Sequence, residues 1–108
     1  MFELYRSDKD GKFYFRLKAK NGETILSSQA YADKAGAEKG IASVRANGVD
    51  EENFSVKDAS DGRKYFNLKA ANGQVIATSQ MYKSATGAKG GIASVAENAP
   101  GAKVNDIT

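Results

Sequence analysis

Residues 11–47, laid over residues 62–98 at a spacing of 51 without a gap, are identical at 20 of 37 positions. A period of this length and fidelity means that one supersecondary unit occurs twice, so any fold must accommodate two equivalent copies. The matches include Gly11 with Gly62, Tyr14-Phe15 with Tyr65-Phe66, Leu17-Lys18-Ala19 with Leu68-Lys69-Ala70, and Asn21-Gly22 with Asn72-Gly73. Ser28-Gln29 is repeated as Ser79-Gln80, and Gly40-Ile41-Ala42-Ser43-Val44 as Gly91-Ile92-Ala93-Ser94-Val95. Ahead of the first glycine the register changes by one. Phe2-Glu3-Leu4 then lies over Phe54-Ser55-Val56, and the first turn is one residue longer in the first copy.

Each unit reads as three strands and a helix. A short run alternating around Phe2 and Leu4 enters the turn formers Ser7-Asp8-Lys9-Asp10-Gly11, as Ser60-Asp61-Gly62 does in the second copy. The next run places Phe13, Phe15, Leu17 and Ala19 on one side and Tyr14, Arg16 and Lys18 on the other, the division of a half-buried strand. Phe66, Leu68 and Ala70 against Tyr65, Asn67 and Lys69 repeat most of it. Asn21-Gly22 and Asn72-Gly73 predict two-residue type I′ hairpins, in which both central residues need positive φ. The third strand, Thr24-Ile25-Leu26 or Val75-Ile76-Ala77, fades into Ser27-Ser28-Gln29 or Thr78-Ser79-Gln80, as a strand leaving a sheet does.

From about Asp33 to Asn47 the period becomes helical, with Ala37, Ile41 and Val44 on one stripe and Ala88, Ile92 and Val95 on its repeat. Asp33 and Ser84 are N-caps by residue type. Gly36 and Gly40, answered by Gly87 and Gly90-Gly91, each cost about 1 kcal/mol against alanine inside a helix. Close packing of the helix backbone against a sheet or the twin helix explains them better than an anion-binding loop. Neither Gly-x-Gly-x-x-Gly nor a glycine run ending in Lys-Ser/Thr occurs. Residues 48–53 are too short to separate independent domains, and a module of about 50 residues buries too little surface alone. The expectation is one domain, 1–108, made of repeat 1–50 and repeat 51–108 with a C-terminal extension. Its fold class is α+β: two β-β-β-α repeats fused around a pseudo-two-fold axis, with an antiparallel sheet packed against two helices. Lys103-Val104-Asn105-Asp106-Ile107 follows the second helix as Asn53-Phe54-Ser55-Val56 follows the first, so a closing strand and exchange of strands across the pseudo-dyad are expected there.

Leu, Ile, Val and Phe total 20 residues against 17 Ala, so the core must be thin and approached by small side chains. The chain has no His and no Cys. This excludes disulfides, thiol nucleophiles, a zinc site of the usual ligands and a Ser-His-Asp triad. No run approaches the roughly 18 apolar residues of a membrane span. Phe2-Glu3-Leu4-Tyr5-Arg6 shows no basic segment followed by an apolar one. A cytoplasmic chain without cofactors or membrane contact is expected.

The pattern Phe13-Tyr14-Phe15-Arg16-Leu17-Lys18-Ala19-Lys20-Asn21-Gly22-Glu23-Thr24-Ile25-Leu26-Ser27-Ser28-Gln29-Ala30-Tyr31 is followed by Gly40-Ile41-Ala42-Ser43-Val44-Arg45. With its copy over Lys64–Tyr82 and Gly91–Ala96, it resembles the YegP-like family of small uncharacterised bacterial proteins, in its tandem form. The resemblance covers almost the whole chain. It implies two β-β-β-α repeats around a two-fold, and no agreed activity or ligand. The second copy replaces Phe13, Arg16 and Arg45 with Lys64, Asn67 and Ala96, so a surface site using those charges is asymmetric.

Three uses of such a scaffold are distinguishable. Tyr14, Arg16 and Lys18 with Tyr65, Asn67 and Lys69 form repeated strand faces, where rings between cations can stack on bases. However, 9 Lys+Arg against 7 Asp+Glu in residues 1–50, and 7 against 6 in 51–108, give neither half a strong electrostatic footprint. A protein- or peptide-interaction module is therefore the leading expectation, with weak single-stranded nucleic-acid binding as the alternative. For an enzyme, the polar cluster Ser28, Gln29 and Tyr31 with Ser79, Gln80 and Tyr82 lacks a duplicated carboxylate to serve as base. Gln29 and Gln80 are read as hydrogen-bonding backbone where strand gives way to helix. Lastly, the short first strand is read as an open edge to which another chain can add, although internal pairing of the repeats predicts a monomer.

Overall fold

Alternation in the strand runs and the 3.6-residue period of the helical runs set the elements of the computed structural model, which describes residues 1–108. They are β1 (Phe2–Arg6), β2 (Phe13–Lys18), β3 (Thr24–Ser28), α1 (Lys34–Asn47), a 3-10 turn (Glu51–Asn53), β4 (Phe54–Asp58), β5 (Lys64–Lys69), β6 (Val75–Ser79), α2 (Ala85–Asn98) and β7 (Val104–Asp106). The expected α+β fold of two β-β-β-α repeats is present. The strands make one sheet in the order β4-β5-β6-β3-β2-β1-β7. All neighbours are antiparallel except β1 and β7, which are parallel. The repeats join where β3 meets β6, and Ser27 lies opposite Thr78, its own counterpart 51 residues on. The pseudo-two-fold axis therefore passes between these two residues.

The hairpins differ from the type I′ expectation. No non-glycine residue has positive φ, whereas Gly22 (φ +86°) and Gly73 (φ +84°) do. Ala19 and Glu23 close a three-residue loop through Ala19 N–H to Glu23 O (2.9 Å), and Gly22 N–H returns to Ala19 O (3.0 Å). This is the hairpin in which a turn is followed by a left-handed glycine. Asn21 Oδ1 accepts the Glu23 N–H and Asn72 Oδ1 the Gln74 N–H, each at 3.0 Å, so asparagine serves by its side chain and not by its φ. The one-residue difference in the first turns is present as expected, with Ser7 N–H bonded to Lys12 O but Ala59 N–H to Arg63 O.

The helix caps form as expected: Asp33 Oδ1 accepts from Gly36 N–H at 2.7 Å and Ser84 Oγ from Gly87 N–H at 3.1 Å. Ala37, Gly40, Ile41 and Val44 of α1 are buried, as are Ala88, Gly91, Ile92 and Val95 of α2. The apolar side chains among these, with Ala99 and residues from β1, β2, β3, β5 and β6, form one 17-residue core shared by both helices. It includes the duplicated Phe15/Phe66, Leu17/Leu68, Ile25/Ile76, Ile41/Ile92 and Val44/Val95. Close approach explains Gly40 and Gly91. A β-carbon on Gly40 falls 2.7 Å from the Phe15 ring and against the Tyr31 hydroxyl, and one on Gly91 falls 2.8 Å from the Phe66 ring and against the Tyr82 hydroxyl. Gly90 is different: a β-carbon there meets nothing within 4 Å.

The closing strand exists, and exchange occurs in one direction only. β7 leaves the second repeat to lie beside β1 of the first, while β4 pairs with β5 of its own repeat. By the two-fold, the strand following α2 belongs antiparallel to β2, but β1 already holds that place. It therefore lies outside β1, in the parallel sense. The first strand, expected at an edge, is therefore internal, and the edges of the sheet are β4 and the three-residue β7.

Candidate interaction surface

The sheet has one face against the helices and one without them. Register places Glu3 opposite Arg16, Arg16 opposite Ser27, Ser27 opposite Thr78, Thr78 opposite Asn67 and Asn67 opposite Ser55. This polar row crosses the helix-free face. Tyr14, Arg16 and Lys18 stand on that face from β2, and Tyr65, Asn67 and Lys69 from β5. At about 4.8 Å per strand the two groups lie about 14 Å apart, so they form two patches and not one cluster.

The patches differ as the sequence departures imply. In the first repeat Arg16 Nε donates to Glu3 Oε1 at 2.7 Å, Lys18 Nζ lies 3.3 Å from the same oxygen, and the guanidinium sits 4.3 Å over the Tyr5 ring. Tyr5 stacks on Tyr14 at 5.7 Å, and the Tyr14 hydroxyl donates to Asp10 Oδ2 at 2.6 Å. The Arg16 hydrogen bond holds the Glu3 carboxyl below its ordinary range, with Lys18 adding to the effect. The Tyr14–Asp10 bond lowers the Asp10 carboxyl and raises the Tyr14 phenol. In the second repeat Ser55, Lys57 and Asn67 replace Glu3, Tyr5 and Arg16. There Asn67 Oδ1 accepts from Thr78 Oγ1 at 2.9 Å. Tyr5 and Glu3, absent from the sequence reading, thus complete the first patch; the alternation of β1 was the signal for them.

Gln29 and Gln80 do not act as expected. Both side chains are exposed, and the neighbouring serines make the backbone contacts. Ser28 Oγ accepts the Phe15 N–H at 2.9 Å and donates to Gln29 O at 2.8 Å, while Ser79 Oγ does the same for Phe66 N–H and Gln80 O at 2.9 and 2.7 Å. A hydroxyl both donates and accepts, so it can bridge the ladder where strand partners diverge. Past this point Tyr31 rejoins Phe13, and Tyr82 rejoins Lys64. The Tyr31 ring stacks 6.1 Å from Phe15 and the Tyr82 ring 6.0 Å from Phe66, on the helix side of the sheet; burial raises the Tyr31 phenol. Lys18 is on the opposite face and does not meet Tyr31.

The sheet's two ends present the sharpest contrast. β1 is roofed by β7: Phe2 N–H donates to Lys103 O at 2.8 Å and Ile107 N–H to Leu4 O at 2.9 Å. Two α1 cations hold that segment. Arg45 Nη2 donates to Ala102 O while its guanidinium lies 5.4 Å over the Phe2 ring, and Lys34 pairs with Asp106, whose carboxyl is held down to about 2 by that bond and by Thr108. Their counterparts on α2 are Ala96 and Ala85. Phe2 is fully buried and Leu4 is 1% exposed, but Phe54 is only partly buried and Val56 is 42% exposed. Between β4 and α2 lies a cleft of about 260 Å³ lined chiefly by Val49, Glu51, Phe54, Lys89, Ile92 and Ala96.

The family profile described as a domain of unknown function, DUF1508, matches twice, over residues 8–54 and 59–106. The YegP protein (UPF0339) of Shigella flexneri is 56% identical over 107 residues, covering 99% of this chain and 96% of the relative. The chain belongs to the YegP (UPF0339) family. Two solution NMR structures share the YegP fold seen here. One is of yegP from Escherichia coli, a protein of unknown function, with TM-score 0.93, 55% identity, and coverage of 99% of this chain and 91% of that one. The other is of UPF0339 protein SO3888 from Shewanella oneidensis, with TM-score 0.91, 46% identity, and coverage of 99% and 90%. In this YegP-family chain no helix is long and apolar enough to cross a membrane, and the acidic residues form no group of three or more that could hold a metal ion.

Proposed function

We propose that this chain is a non-enzymatic interaction module that takes up segments of other proteins along β4. The reading is carried by one observation: equivalent strands end up covered in one repeat and bare in the other, with Leu4 1% and Val56 42% exposed. An edge strand presents unpaired N–H and C=O groups, which an extended segment of another protein can satisfy. The test compares proteins captured by the native chain, by Val56→Pro and by a Tyr65→Ala/Lys69→Ala variant. Proline removes an edge donor at a position where sheets tolerate it. Partners held by the native chain and lost only with Val56→Pro support the reading; partners that survive Val56→Pro and are lost with the other variant refute it.

A second reading is favoured by Lys57, Tyr65 and Lys69, a patch of the helix-free face whose two lysines have no carboxylate within ion-pair distance. It makes the chain a weak binder of single-stranded nucleic acid. In the other patch Arg16 and Lys18 already share Glu3, which counts against phosphate neutralisation there. Fluorescence titration with single-stranded DNA and RNA at low and moderate salt decides this, since phosphate contacts must weaken as salt rises.

A further inference from the structure

The structure carries its own example of a segment added to this kind of edge. β7 runs parallel to β1 with Val104 opposite Phe2, Asn105 opposite Glu3 and Asp106 opposite Leu4. Alternation puts Val104 and Asp106 on the helix side, where Asp106 meets Lys34. The two-fold carries this place to the outside of β4, where Phe54 and Val56 stand for Phe2 and Leu4. We infer that β4 receives an extended partner segment running parallel to it, with an apolar residue opposite Phe54 and an acidic residue two positions later opposite Val56. The inference rests on the interaction-module reading and adds to it direction, register and partner sequence.

Three local differences support that choice. The replacement of Arg45 by Ala96 removes the side chain that fills the first repeat's site over Phe2, and the cleft of about 260 Å³ over Phe54 and Ile92 is what is left. An apolar side chain from the partner fits this lining. The cation at Lys34 is lost to Ala85, but Glu38 is replaced by Lys89. That puts a cation one helical turn further along α2, on the cleft itself, to meet the acid. Finally, Phe54 N–H is already bonded to Glu51 O within the 3-10 turn, so the counterpart of the Phe2–Lys103 bond cannot form. Pairing therefore starts past that group and uses Val56 C=O, the counterpart of the Leu4 C=O that accepts from Ile107. A second copy pairing β4 with β4 about a two-fold would run antiparallel and so would not repeat the parallel register of β7 on β1.

The experiment uses the full chain, labelled for NMR, and a synthetic peptide of sequence Gly-Ala-Lys-Val-Asn-Asp-Ile-Thr with a nitroxide at its N-terminus. In the intact chain β1 is filled by β7, so the sheet's edges are β4 and the three-residue β7, and contacts at Phe54 and Ala96 distinguish the first from the second. The expected result is saturable shifts at the Val56 amide, with nitroxide broadening at Phe54 and Ala96 and not at Asp58. Replacing the peptide's Asp with Asn should weaken binding about threefold, and Lys89→Ala should remove that difference. Broadening at Asp58, equal binding of the two peptides to the native chain, no peptide shift at β4, or concentration-dependent self-association through β4 each overturn the inference. None of these by itself touches the module reading, which stands or falls on partner loss with Val56→Pro.

Discussion

Gly90 and Gly91 are adjacent in α2, and replacing each with alanine should move stability in opposite directions. Gly90 has open space around it, and its counterpart Lys39 carries a full side chain at the same helical position. Gly90→Ala should therefore gain the helix-propensity difference, about 0.5–1 kcal/mol. At Gly91 the same gain is opposed by a β-carbon 2.7 Å from Tyr82 Cζ and 2.8 Å from Phe66 Cε2, with Phe66 fully buried and unable to yield. Overpacking of this kind costs about 1–3 kcal/mol, and two rigid rings place it in the upper half, so the net loss is about 1–2 kcal/mol. The two variants should thus differ by about 2–3 kcal/mol. For a chain of this size that is a separation in Tm of about 8–12 °C. Urea unfolding followed by circular dichroism checks this through the midpoint at unchanged slope. Tyr82→Phe removes the atom nearest the added methyl, so a double-mutant cycle with Gly91→Ala should be non-additive in the rescuing direction. A Gly91→Ala chain as stable as Gly90→Ala would refute close approach as the reason for the glycine.

Ser79→Ala leaves the buried Phe66 N–H without its acceptor and should cost about 1–3 kcal/mol, more than Ser28→Ala at the less buried twin site; paired denaturation curves measure the difference. The Asp106 carboxyl, held down to about 2 from an ordinary 3.8, stabilises the docked β7 fully above about pH 4 and loses that contribution as pH falls through about 2. Amide protection at Ile107, followed against pH, should show this acid limb in the native chain and lack it in Asp106→Asn. Ala96→Arg should place a guanidinium over Phe54 as Arg45 lies over Phe2, fill the cleft and abolish partner uptake with the β4 backbone intact; retained uptake in binding assays would rule the cleft out as a contact.

The fold was legible because the repeat doubles every local signal. Phe15, Leu17, Ile41 and Val44 could be read as core partly because Phe66, Leu68, Ile92 and Val95 repeat their spacing, and all of them are buried. What the residues did not disclose lies where local chemistry is degenerate. Asn-Gly suits a two-residue hairpin and a three-residue one, and the choice depends on whether Ala19 pairs with Glu23, a cross-strand fact. Ser28 and Gln29 recur together, so recurrence could not say which of them bonds the backbone. The edge was misplaced because the strand covering β1 is three residues long and comes from the far end of the chain. Parallel pairing of Phe2 with Val104 has no signature in either segment alone. For the candidate surface, the alternation placed Tyr14, Arg16, Lys18, Tyr65, Asn67 and Lys69 on one face, but not the about 14 Å between their patches, which follows from β3 and β6 lying between them.

A chain of two perfect repeats would be left with two equivalent bare edges, and a pair of like edges on one small protein invites end-to-end association. The departures from the repeat bear on this. Lys34 and Arg45 on α1 hold β7 against β1 through Asp106 and the Ala102 carbonyl, and the helix that faces the other edge has Ala85 and Ala96 in their places. Arg16 and Glu3, joined beside that covered edge, give way to Asn67 and Ser55 beside the open one. These four substitutions bear on a single contrast: β1 is covered by β7, and its counterpart β4 is left as an edge of the sheet. The core residues that both ends share remain duplicated because both repeats need the same packing. Symmetry accounts for the scaffold, and its loss at these positions accounts for the difference between β1, covered by β7, and β4, which forms an edge.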